Sequence, residues 1–177
     1  MKNIELMCII LEYLPCKVKV RNKILDDESM AEKGEDVGVL QGVMIEDDKV
    51  KLISDNDLCF FDMEDYSLLL NEKIDLASIK KMCLEVFSVN LSKIKCKIEN
   101  KLEKNKTITI IYNPFIDYEE YEFVEIEICL IEHPSFSYFS SLSGSEDKFA
   151  SESIKSWFLS KHYDIYGLIK SGHAESI

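Results

Sequence analysis

Apolar positions recur along this chain with two periods, and the switches between them mark out its elements. After Asp75, a ready N-cap, Leu76, Ile79, Met82, Cys83, Val86 and Phe87 fall on one helical face, with Lys80, Lys81 and Glu85 opposite. That spacing predicts a helix with one stripe to cover. Ile4 to Leu14 is apolar on too many sides for a clean period and is bounded by Pro15, so it reads as a buried helix, with a strand as the alternative. A last helix is expected from Ser145 as N-cap, carrying Ile154, Trp157, Phe158, Ile165 and Leu168 on one side, with Gly172 as its C-cap.

Between these runs the period falls to two. Lys17 to Val20 alternates, and Val43-Met44-Ile45 and Val50-Lys51-Leu52 flank the polar Glu46 to Lys49 as a hairpin would. A turn at Asp55-Asn56-Asp57 leads into Leu58 to Phe61. Lys93 to Ile98 alternates strictly, and beyond the polar connection Glu99 to Lys106 the β-branched Thr107 to Tyr112 supplies an antiparallel partner. Phe123 to Ile131 is a third strand, with Val124, Ile126, Ile128 and Leu130 on one face and Glu125 and Glu127 on the other. The acidic stretch Asp26 to Asp36 and the Ser-rich stretch 135–145 read as loops, the latter as a loop or linker before the last helix. The expected architecture is α+β, an antiparallel sheet with helices packed on one face, in a single domain of residues 1–177.

Length supports that expectation. A chain of 177 residues, 46% apolar, can bury about 70% of its extended surface without staples. Cys8, Cys16, Cys59, Cys83, Cys96 and Cys129 are scattered singly among apolar neighbours, with none of the paired spacing of zinc ligands, so they read as buried thiols. No apolar run is long enough to cross a bilayer, and the first apolar stretch lacks the pattern of a secretory leader, which makes a cytoplasmic protein the simplest expectation.

Charge changes the picture more. The net charge is −12, and it is unevenly spread. Residues 107–147 hold nine acids and no Lys or Arg, residues 52–72 hold six acids and again no base, and Lys73 to Lys106 is lysine-rich. Such a field repels nucleic acid and anionic membranes and draws basic partners. Arg21 is the lone arginine, so the bidentate fork that phosphate sites use is scarce.

Motifs for chemistry are missing. There is no nucleophile elbow, Walker loop or zinc-protease signature, and Gly34, Gly38 and Gly42 suit bulges or turns better than a phosphate cradle. No catalytic residue, metal ligand or cofactor site is assigned. A small enzyme using His133 with a cysteine, or the carboxylate pair Glu125 and Glu127, is the competing reading.

The most informative segment interleaves acids with phenols: Asp117, Tyr118, Glu119, Glu120, Tyr121 and Glu122, running on to Glu125 and Glu127. Tyrosine rings bury area at an interface for little entropy, while the carboxylates steer and pair with Lys and Arg. A second acidic lobe, Asp55, Asp57, Asp62, Glu64 and Asp65 around Phe60, Phe61 and Tyr66, has the same character. In this profile the chain resembles bacterial immunity proteins, which neutralise nuclease toxins including those of contact-dependent growth inhibition. The resemblance implies a non-enzymatic complex with a basic toxin domain, bound through residues 117–127, with no nucleic acid, membrane or cofactor involved. A phage or viral protein that sequesters a host factor would follow the same acidic logic.

Overall fold

A computed structural model describes residues 2–23, 37–56, 61–63, 65–94, 96–101, 107–113, 123–130 and 134–177. The fold is α+β, built on two mostly antiparallel sheets. The chain gathers into two compact units, Met1–Lys73 with Leu159–Ile177, and Ile74–Phe158.

The first unit opens with helix α1, Asn3–Tyr13, which continues into a 3-10 turn at Leu14–Cys16 where Pro15 removes an amide donor. The helix lies over strands β2 (Val37–Glu46) and β3 (Lys49–Ser54) and buries Leu6, Ile10 and Tyr13 against them, leaving Ile4, Cys8 and Leu11 exposed. The helix expected to be buried is therefore buried on one side only. β1 (Lys19–Asn22) pairs with β2, and β5 (Tyr66–Leu70) pairs with β1, giving the order β11-β5-β1-β2-β3-β4 with β4 at Phe61–Asp62 and β11 at Ala174–Ser176. The β2–β3 hairpin lies where the alternation predicted it, and a register shift between Leu40 and Gly42 is the bulge that the glycine spacing suggested.

β5 lies between antiparallel β1 and parallel β11, and all five of its residues are buried. Buried on both faces, it has no polar side to alternate with, and this run escapes a search for period two. Its Tyr66 hydroxyl accepts a hydrogen bond from Asn22 Nδ2 at 3.2 Å. Tyr66 is thus a core residue and not an aromatic of an acidic surface lobe.

The second unit contains α2 (Leu76–Phe87), and most of α3 (Lys148–Ser160), with a sheet in the order β10-β9-β8-β7-β6. Its strands are β6 (Cys96–Lys101), β7 (Thr107–Tyr112), β8 (Val124–Cys129), β9 (Ser135–Ser140) and β10 (Ser145–Glu146). α2 forms as predicted: Asp75 accepts from the Ser78 amide at 2.8 Å, and Ile79, Met82 and Cys83 are buried. β6 begins later than the alternation from Lys93 suggested, because residues 91–93 form a turn.

Two expectations fail here. The stretch 135–145 is not a linker. Six of its residues form β9, whose serines face solvent or hydrogen-bond while Phe136 and Tyr138 reach the helices: Phe136 stacks near Phe158 and Tyr138 near Phe87, at 5.9 and 4.9 Å between ring centroids. Counting serines hid a strand that alternates in aromatic content. The last helix also starts later and stops sooner: Asp147, not Ser145, accepts from the Phe149 and Ala150 amides, and the helix ends at Ser160, ahead of Ile165, Leu168 and Gly172. His162, at φ +58°, turns the chain away, and Gly172, at φ +81°, sits in the turn before β11.

At the β9 edge of the second sheet one backbone amide is taken by a side chain. β10 meets only the end of β9, at Ser140 and Phe139, and the next exposed amide, that of Tyr138, donates to Ser151 Oγ at 3.1 Å. The same hydroxyl donates to the Asp147 carbonyl at 2.9 Å. The thiols differ from expectation as well: Cys83 is buried, Cys16, Cys96 and Cys129 are half-buried, Cys8 is exposed, and Cys59 lies outside the described residues. No described helix is long and apolar enough to cross a membrane.

Candidate functional site

Strand β8 sorts its side chains as the alternation requires. Val124, Ile126 and Ile128 are buried, while Glu125 is half-exposed and Glu127 exposed on the other face. Antiparallel register then decides what stands beside the two carboxylates. Glu125 is opposite Ile111 of β7 and Phe139 of β9, and Phe139 is in turn opposite Glu146 of β10. Glu127 is opposite Thr109 and Ser137. Phe123, immediately before β8, lies 6.0 Å from Phe139 by ring centroids. One face of the sheet therefore combines three acids with the half-exposed Ile111, Phe123 and Phe139.

Lys97, the described lysine on this face, does not reach these acids. Lys97 of β6 shares a row with Ile111 and Glu125, but β7 stands between them, and Lys97 is engaged by Glu99 at 2.7 Å, a contact that raises its pKa. Among the described residues neither Glu125 nor Glu127 forms an ion pair. At about 4.8 Å per strand, Lys97 starts roughly 10 Å from Glu125, about a Debye length in ordinary salt.

The opposite face shows why this one is open. There Tyr112, Tyr138, Phe136 and Ile126 are turned toward α2 and α3, and the helices are tied by the Trp157 Nε1 donor to Glu85 at 2.9 Å. Burial raises the Tyr112 phenol, with the neighbouring Tyr138 adding to it, and pushes the Cys83 thiol up to about 12. These groups stay protonated and serve the core.

Of the residues expected to bind a partner, Glu125 and Glu127 are brought together on this face. Asp117, Tyr118, Glu119, Glu120, Tyr121 and Glu122 lie outside the described residues, as does His133. Two acids of the second lobe are engaged within the fold. Asp62 is held by Lys49 at 2.7 Å with Lys51 at 4.0 Å, which keeps its carboxyl below the usual range, and the Asp55 carboxylate accepts the Val39 amide at 2.7 Å. Two hairpin lysines thus neutralise Asp62, which the local sequence leaves bare. Asp57, Glu64 and Phe60 lie outside the described residues.

Comparison with protein-family models, with curated proteins and with solved structures finds no match. The reading of this face therefore rests on its own chemistry. Its apolar members Ile111, Phe123 and Phe139 were missed in the sequence; the available signal was the alternation of Phe136, Tyr138 and serines, which turns Phe139 outward beside Glu125. Among the described residues, no three His, Cys, Asp or Glu side chains gather as a metal would need.

Proposed function

We propose that this chain is a non-enzymatic immunity protein of the cytoplasm, which binds and neutralises a basic, nuclease-type toxin domain through the open face of β7 to β9 and the preceding segment 117–122. The observation that carries the proposal is the placement of Glu125 and Glu127, unpaired among the described residues, beside the half-exposed Ile111, Phe123 and Phe139. Acids around apolar anchors fit the division of labour at charged interfaces, where carboxylates set encounter and buried rings set residence. A nuclease must be cationic where it holds phosphate, so an acidic inhibitor competes for the same groove.

The test is binding to a basic nuclease toxin domain, followed kinetically at two salt concentrations. Glu125→Lys with Glu127→Lys should lower the on-rate about tenfold at low salt and flatten its salt dependence, whereas Phe139→Ala, Tyr118→Ala and Tyr121→Ala should mainly raise the off-rate. Binding unchanged by both sets of variants excludes this surface.

A further inference from the structure

The first unit holds an open cleft of about 360 Å³ between α1, the β2–β3 hairpin, Asp62–Met63 and the turn before β11. Its floor is apolar, formed by Leu6, Val50 and Met63. The rim is charged, and its charges are unequally satisfied. Lys49 is engaged by Asp62 at 2.7 Å. Lys23 and His173 have no carboxylate partner among the described residues, and they face the same void. Burial, with smaller contributions from the N-terminal ammonium and then the Lys23 ammonium, holds the His173 imidazole below its ordinary range.

We propose that this cleft binds a small monocarboxylate with an apolar tail, its headgroup between Lys23 and His173 and its tail on Leu6, Val50 and Met63. An apolar cavity with a few convergent polar groups is the usual form of a small-molecule site, and this volume is at the small end of that class. A single negative charge pairs with the Lys23 ammonium and draws a proton onto the His173 imidazole, which burial otherwise keeps neutral. A dianion such as phosphate would meet the carboxylates of Asp48 and Asp62 on the same rim, with no guanidinium to hold it, since Arg21 is committed to Glu175 at 2.8 Å. An amine is disfavoured by the Lys23 and N-terminal ammonium groups, the two charges that act on His173.

The experiment is an NMR titration of the full chain with hexanoate at about pH 6.5, reading the imidazole signals of His173, which His173→Gln identifies. Acetate, inorganic phosphate and hexylamine serve as comparisons. Hexanoate should shift the His173 signals saturably and raise the histidine's pKa, because an adjacent anion favours the imidazolium. It should bind at least tenfold tighter than acetate, each buried methylene adding roughly fourfold. Lys23→Gln, at an exposed side chain, should weaken hexanoate about tenfold while leaving the spectrum of the fold intact. The proposal is overturned if hexanoate gives no saturable shift, if phosphate or hexylamine binds as tightly, or if Lys23→Gln binds hexanoate as the parent chain does.

Discussion

Asp75 shows how much one side chain decides. Its Oδ1 accepts both the amide and the hydroxyl of Ser78 at 2.8 Å, closing the open end of α2. Asp75→Ala should cost about 1 kcal/mol in urea unfolding, and Asp75→Asn much less, since the amide oxygen can still accept. The residue was legible because a cap and the helical stripe after it are both local. The thiols were not. Cys8 and Cys83 each sit among apolar neighbours in the sequence, yet Cys83 faces the sheet while Cys8 is on the side of α1 turned away from Leu6 and Ile10. A thiol reagent at about pH 8 should modify Cys8 in the native protein and leave Cys83, whose pKa is pushed up to about 12, unmodified until the chain unfolds. Mass spectrometry of the labelled peptides reads the outcome.

At the scale of elements, alternation located β8, the polar turn between apolar runs located β2 and β3, and β-branched content located β7. Alternation missed β5, which is buried on both faces, and β9, where serine replaced the usual outward charges. Two members of the candidate site were accordingly visible: Glu125 and Glu127 follow from β8 alone, whereas Ile111 and Phe139 become their neighbours only through strand register, which involves pairings distant in sequence. Register also sets the tolerance of the β2–β3 hairpin. A Cβ at Gly38 would lie 2.8 Å from Ser54 Oγ, 2.9 Å from Ser54 Cβ and 2.8 Å from Asp55 Oδ1, and that carboxylate is pinned by the Val39 amide. Gly38→Ala should therefore destabilise the protein by about 1 to 3 kcal/mol, measured by denaturant unfolding.

For the whole molecule, the net charge of −12 sets behaviour that no single contact does. Like charges repel within the compact state, and salt screens them. The melting temperature should therefore rise as sodium chloride is raised from zero to about 0.2 M, while association with a cationic partner slows over the same range. Calorimetry and binding kinetics on one preparation check both signs. Charge also bears on how copies of the chain meet, but repulsion acts at a distance and cannot by itself stop two flat strand rims from zipping together once they touch. In the second sheet that task falls at one rim to Ser151, whose oxygen occupies the Tyr138 amide that a foreign strand would need. A helix hydroxyl thus blocks templated growth at the point where the two-residue β10 runs out.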